Sequence, residues 1–181
     1  ASTLEEVVRL SRISEDLLVL ARSDSGALEP RLEPCDVAAV VARVAERLQG
    51  MADAGGVSLE AVPPEGVWGV ADPGLLGQVA WNLLENALKF TPRGGRVEAR
   101  VAAVPGGVTL EVADGGPGFS SPDEAFRRFY REDPARTHAA PTGGTGLGLA
   151  IVRAVAEAHG GSARAQNRPE GGAQVIVELP G

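Results

Sequence analysis

Over the first 25 residues, Val7, Leu10, Ile13, Leu17 and Leu20 recur three and four apart, with Glu5, Glu6, Arg9, Arg12, Glu15 and Asp16 on other faces. That period predicts an amphipathic helix over residues 1 to about 25, and Leu4, Val8 and Leu18 widen its apolar stripe. Nothing within the segment can cover the stripe, so the helix is expected to pair with a partner helix or a second chain. The plainer alternative is a helix folded back on the rest of the chain. Ser23-Asp24-Ser25-Gly26 ends the helix, and Pro30 and Pro34 stiffen the connection that follows.

A second helix is predicted from about Val37 to Ala54, then a stretch broken by Gly and Pro with a short strand near Val67 to Val70. Asp72-Pro73 reads as the start of a third helix, Gly74 to Phe90, which Thr91-Pro92-Arg93-Gly94-Gly95 terminates. Arg96 to Val104 and Val108 to Ala113 alternate and are rich in Val, forming a hairpin through Pro105-Gly106-Gly107. A second hairpin joins Ser162 to Gln166 with Ala173 to Leu179 through Pro169-Glu170-Gly171-Gly172. Between the hairpins lie an irregular stretch, roughly Ser120 to Gly144, and a helix from about Leu147 to His159. So long an irregular stretch inside a compact domain is a functional lid or a disordered insert. The expected architecture is α+β: a mixed, largely antiparallel sheet with helices on one face, preceded by one helix.

Composition narrows what such a domain does. At 181 residues the chain holds one well-packed domain with a short extension. An apolar fraction of 44% and 23% charged residues suit a globular protein, and no apolar run approaches the roughly 20 residues of a bilayer span. No signal peptide is visible. The missing initiator Met and the opening straight into helical periodicity suggest a piece of a longer polypeptide, which leaves upstream membrane segments open. A net charge of -7 removes the general attraction that drives nonspecific nucleic-acid binding. One cysteine, Cys35, reads as a packing residue, and two distant histidines give no metal-ligand spacing. Lys89 is the one lysine and no Gly-Lys-Ser/Thr is present, which excludes a P-loop.

Three constellations carry chemistry. On the third helix Asn82, Glu85, Asn86 and Lys89 occupy i, i+3, i+4 and i+7, one polar stripe beside the apolar Val79, Leu83, Leu84, Ala87 and Leu88. Asparagine is a mediocre helix former, so two of them mid-helix suggest coordination: amide oxygens suit Mg²⁺, and the lysine suits phosphate oxygens. A solvated face with an ordinary Glu85–Lys89 pair explains the stripe equally well. Asp114-Gly115-Gly116-Pro117-Gly118 ends a strand, where a carboxylate can accept from an exocyclic amine, although by itself a tight turn explains it better. Thr142-Gly143-Gly144-Thr145-Gly146-Leu147-Gly148-Leu149 leads into a helix whose free N–H groups can receive phosphate. Its place late in the chain does not suit a Rossmann loop.

In this order the stretches resemble the catalytic domain of sensor histidine kinases, within the superfamily that includes DNA gyrase, Hsp90 and MutL, over almost the whole chain. Asn82 to Pro92 is similar to the family's N box, Asp114 to Gly118 to its first glycine box, Phe126 to Arg131 to its F box, and Gly144 to Gly148 to its second glycine box. Residues 1–28, especially Asp16 to Arg22, resemble the second helix of the dimerisation and phosphotransfer hairpin, leaving 29–181 as the ATP-binding catalytic domain. The resemblance implies a Bergerat-type two-layer α/β sandwich that binds ATP and Mg²⁺. It makes Asn86 the metal ligand, with Asn82 and Lys89 holding the metal-bound phosphates. Phe90 would lie against the adenine and Asp114 would bind its amine, with Gly116 and Gly118 beside it. Tyr130 and Arg131 would lie in or beside the lid, with Arg131 or Arg128 available to the phosphates. The backbone of Gly144, Thr145, Gly146, Leu147 and Gly148 would close over the phosphate tail.

The implied activity is transfer of the γ-phosphoryl to a histidine on a helix absent from this chain, then to a response-regulator receiver domain. The implied parent is a homodimer with this part in the cytoplasm, any anchor in the inner membrane lying outside it. Hydrolases of the superfamily typically carry glutamate where this chain has Asn82, and an amide cannot act as a base, which favours phosphoryl transfer over hydrolysis. The pattern departs in three places. No histidine is followed by an acidic residue: His138 falls in the expected lid, and His159 suits a helix C-terminus capped by Gly160. Gly115 stands where asparagine is common and Phe119 where an aliphatic residue is usual, and both are expected to be tolerated. The rival reading from another class is a nucleotide-gated scaffold, against which Asn86, Lys89 and Asp114 argue; a second rival is a hydrolytic ATPase, or a serine-directed kinase on the same fold, and Asn82 with the dimerisation-like N-terminal helix opposes the hydrolase.

Overall fold

The computed structural model describes residues 3–62, 66–130 and 145–181. Helix α1 spans Thr3–Asp24. Strand β1 (Glu33–Asp36) runs into α2 (Val37–Gly55), whose first turn is capped by Asp36, its carboxylate accepting from Ala39 N–H at 3.0 Å. Gly56, at φ 65°, ends α2 in the left-handed conformation that glycine adopts without penalty. Strands β2 (Ser58–Val62) and β3 (Trp68–Ala71) lead to α3 (Pro73–Phe90). Asp72 caps α3 through bonds to Gly74 and Leu75 N–H at 2.9 and 3.1 Å, with Pro73 in its first turn. The long hairpin β4 (Arg96–Val104) and β5 (Gly107–Asp114) follows, then a single 3₁₀ turn at Pro122–Glu124. The described chain ends with α4 (Gly148–Ala158), β6 (Ser162–Asn167) and β7 (Ala173–Pro180).

The main sheet has the order β2-β4-β5-β7-β6, with β2 parallel to β4 and every other pairing antiparallel. Register places Ala99 opposite Val112 and Val101 opposite Leu110, and then Leu110 opposite Val177 and Val112 opposite Val175. These buried rows form one face of the sheet, against which Val41 and Leu48 of α2, Leu76 and Leu83 of α3 and Ile151 and Val155 of α4 complete a single core. The opposite face is solvated and carries ion pairs such as Arg96–Glu60, Arg100–Glu98 and Arg164–Glu178. The expected α/β sandwich, helices on one face of a mixed sheet, is therefore what the chain forms. Among the described residues no helix is long and apolar enough to cross a membrane.

Three features differ from the sequence reading. β1 forms in the stretch taken as a stiffened linker: it pairs antiparallel with β3, Pro34 opposite Val70, and a two-stranded sheet has two edges, where a proline lacking its N–H is tolerated. β2 forms in the stretch taken as broken, held by parallel pairing to β4 that places Ser58 opposite Arg96, a partner too distant for local pattern to reveal. The third correction concerns α1, which does not wait for another chain. Asp16 and Leu20 are buried, and Asp16 accepts from Gln78 Nε2 of α3 at 2.9 Å. The residues that dock share one side of α1, while Val7, Leu10, Leu17 and Leu18, on the opposite side, are 54, 65, 48 and 51% exposed. The helix has two working faces, and only one is covered by its own chain.

Candidate functional site

The polar stripe of α3 begins with Asn82, buried because its Nδ2 donates to Gln78 O at 3.0 Å and its Oδ1 faces the start of α4. A Cβ on Gly148 would stand 3.0 Å from that Oδ1. The N box and the second glycine box therefore meet where the glycine leaves space. Asn86, one turn on, is half-buried and has no side-chain hydrogen bond among the described residues. Lys89 lies 3.3 Å from Glu85, which also lies 3.8 Å from Arg12 of α1. The Glu85–Lys89 pair expected of a merely solvated face is thus present, alongside an amide left without a partner.

Asp114 closes β5 and is buried among backbone. Its Oδ1 accepts from Gly116 N–H at 2.8 Å and from Ala173 N–H at 3.1 Å. Its Oδ2 has no hydrogen bond among the described residues. Burial raises the carboxyl above its ordinary range, and the two N–H bonds and the charge of Arg168 oppose that rise without cancelling it. Glycine is needed on both sides of this corner. A Cβ on Gly116 would lie 2.7 Å from Phe90 O, and one on Gly172, at φ 92°, would lie 1.9 Å from Asp114 O. The first contact joins the end of the N box to the first glycine box. Half-buried Phe90 thus stands at the same corner as Asp114. Gly118 approaches Asn167, whose amide clamps the backbone of Phe119 on both sides, accepting from its N–H at 2.7 Å and donating to its O at 2.9 Å. Phe119 itself is buried in the core, and a Cβ on Gly115 would meet nothing closer than 3.6 Å, so neither departure from the family pattern strains the fold.

Phe126 anchors the F box in the core, with the Arg153 guanidinium 4.3 Å above its ring. Phe129 is 68% exposed at φ 60°, and its N–H donates to Gly146 O at 2.8 Å. A Cβ on Gly146 would meet Phe129 backbone at 2.8 Å and Tyr130 O at 2.9 Å, so the F box and the second glycine box also meet. Arg128 is held by both carboxylate oxygens of Asp24 at the end of α1, which raises the guanidinium's proton affinity and lowers that of the carboxylate. Thr145 Oγ1 accepts from Leu147 N–H at 3.3 Å, and Leu147 is buried. No side chain caps α4, and its first backbone bond runs from Ile151 N–H to Leu147 O. The N–H groups of Gly148, Leu149 and Ala150 have no protein partner among the described residues. Arg131, Gly144 and His138 lie outside the described residues.

His159 is buried and bridges the two helices that carry the site. Its Nε2 accepts from Asp72 N–H at 3.0 Å and its Nδ1 lies 2.8 Å from Val155 O, an arrangement both atoms satisfy only with the proton on Nδ1. It is a structural tie rather than a phosphoryl acceptor. Sequence reasoning missed Asn167, Arg168, Gly172 and Ala173, which support the Asp114 corner from 48 to 59 residues away. The Gly171-Gly172 pair was legible as a turn, but nothing local showed what that turn touches.

A layered α/β domain whose amide-bearing helix, buried carboxylate and uncapped glycine-led helix start adjoin one another has the architecture of the ATP-binding domains of histidine kinases. The chain belongs to the family described as histidine kinase-, DNA gyrase B-, and HSP90-like ATPase, which matches residues 71–181. It is 39% identical over 170 residues to the sensor protein IrlS of Burkholderia pseudomallei, covering 93% of this chain and 36% of that protein. The histidine kinase AdeS of Acinetobacter baumannii superposes with a TM-score of 0.80 at 25% identity, covering 98% of this chain and 81% of that one. Full-length ShkA, solved in complex with AMPPNP, gives a TM-score of 0.77 at 32% identity over 97% of this chain and 36% of its own. The chain spans less than half the length of the curated relatives it matches.

Proposed function

We propose that this chain is the ATP-binding catalytic part of a two-component sensor histidine kinase, with residues 1–28 supplying the second helix of its dimerisation and phosphotransfer hairpin and 29–181 the catalytic domain. The observation that carries this reading is the pairwise approach of all four motif stretches: Asn82 to Gly148, Phe90 to Gly116, and Phe129 to Gly146. ShkA, of the same fold, takes an ATP analogue. Asp114 Oδ2 is the acceptor for the adenine amine, with Phe90 against the ring. Asn86, without a side-chain partner among the described residues, would hold Mg²⁺, which would neutralise charge on the phosphates. Asn82, Lys89 and the free N–H groups of α4 orient the phosphate tail. Positioning and charge compensation then supply most of the catalysis, and the Asn82 amide cannot act as a base for water.

The phosphoryl acceptor is a histidine on the preceding helix of the hairpin, and the next acceptor is an aspartate of a response-regulator receiver domain in the cytoplasm. The exposed face Val7, Leu10, Leu17 and Leu18 is the surface on which that helix and a second copy would close a bundle. Calorimetric titration with ATP, with and without Mg²⁺, tests the site. Binding strengthened by the metal in the wild type, with the metal effect lost in Asn86→Ala, is the expected result; absence of binding by the folded chain overturns the reading in favour of a scaffold.

A further inference from the structure

α1 touches the proposed phosphate end at a point that the nucleotide reading leaves unused. Lys89 is the one lysine in the chain, and its Nζ lies 3.3 Å from Glu85 Oε2. A carboxylate one turn away competes with phosphate for that ammonium group. It also repels the polyphosphate once the lysine has turned away from it. The other oxygen of Glu85 lies 3.8 Å from Arg12 Nη1 of α1. Arg12 does not depend on Glu85 for its place, because its guanidinium sits 4.0 Å from the centroid of the Trp81 ring. That ring is packed deeply enough that its Nε1 is buried with no hydrogen-bond partner among the described residues. Asp16, one turn further along α1, fixes the same helix to Gln78 of α3.

We infer that Arg12 is a positioning residue for the phosphate end: held on Trp81, it compensates Glu85 and so releases Lys89 to bind phosphate, which makes docking of α1 and binding of phosphate-bearing nucleotides mutually reinforcing. The inference rests on the nucleotide reading above and adds a coupling that the motifs do not contain. Reciprocity follows from linkage: if docked α1 favours ATP, ATP favours docked α1. Adenosine, which offers Lys89 nothing, is indifferent to the arrangement.

The test is calorimetric titration of the whole chain with Mg-ATP and with adenosine, for the wild type, Arg12→Gln, Glu85→Gln and the double variant. Partly exposed ion pairs of this kind carry modest energies, so Arg12→Gln is expected to weaken Mg-ATP by roughly two- to five-fold and to leave adenosine unchanged. In the Glu85→Gln background, where Lys89 has no competitor, Arg12→Gln should have no further effect. Arg12→Lys, which keeps the charge, should recover most of the loss. An equal loss for adenosine, or an equal loss in the Glu85→Gln background, marks a general structural role and overturns the inference. So does an unchanged Mg-ATP affinity in Arg12→Gln when the wild type binds. A wild type that binds neither ligand overturns the nucleotide reading itself, and the inference falls with it.

Discussion

The two ends of the candidate site are built on different principles. At the Asp114 end every contact is backbone-deep: Oδ1 takes two main-chain N–H groups, Gly116 presses on Phe90 O, and Gly172 lies against Asp114 O. At the other end, beside the buried Asn82, the groups expected to meet phosphate include half-exposed side chains, unpartnered among the described residues as in Asn86 or held in replaceable pairs as in Lys89 with Glu85 and Arg128 with Asp24. A flat, uncharged ring can be met by a fixed wall. A charged, metal-bearing tail needs groups that exchange partners, since a cation locked in a deep pair is of no use to a phosphate.

The sharpest way to break this contrast is to add one carbon at the rigid end. Gly172→Ala must accept both a left-handed backbone and an overlap with Asp114 O, and is expected to cost ~3 kcal/mol, lowering the melting temperature in a thermal scan by roughly 6–12 °C. Asp114→Asn separates function from stability at the same corner. Loss of the charged acceptor should weaken ATP by roughly ten- to hundred-fold in a titration. Stability should move the other way. Burial raises the Asp114 carboxyl, so its contribution to folding is present when it is protonated and is lost as pH rises through its folded-state value. Its ionised form opposes the fold, so the asparagine variant, which cannot ionise, is expected to gain on the wild type in melting temperature as pH rises. That margin should shrink as pH falls through the carboxylate range. The smallest effect belongs to the flexible end's outer rim. Arg127→Ala removes an exposed pair with Glu124 and should leave the melting temperature unchanged within measurement.

The same contrast sets what sequence could reveal. The third helix was legible because its start is written locally, in Asp72-Pro73, the first hairpin because Val-rich alternation brackets a glycine turn, and the second because Pro169-Glu170-Gly171-Gly172 marks its turn. The order of the four motifs pointed to the site because each marks a chain segment rather than a contact. What stayed hidden was long-range. Ser58–Val62 becomes a strand only through parallel pairing with Arg96–Arg100, and Pro34 sits in a strand only because that strand is an edge. Asn167 and Gly172 matter through what they touch, as do Gln78 and Trp81 under α1. The apolar stripe of α1 was read as a single surface awaiting a partner, whereas Leu20 of that stripe docks beside the buried Asp16 and Val7, Leu10 and Leu17 stay exposed.

His159 has a further consequence, for how the domain opens rather than for what it binds. By accepting from the cap of α3 while donating within the last turn of α4, it ties the beginning of one helix to the end of the other, so fraying at either terminus strands a buried polar atom at its neighbour. The two helices that frame the site should therefore lose their amide protection in hydrogen exchange together, as one cooperative unit, and a bound molecule would be released by movement around this pair before it is released by melting within it.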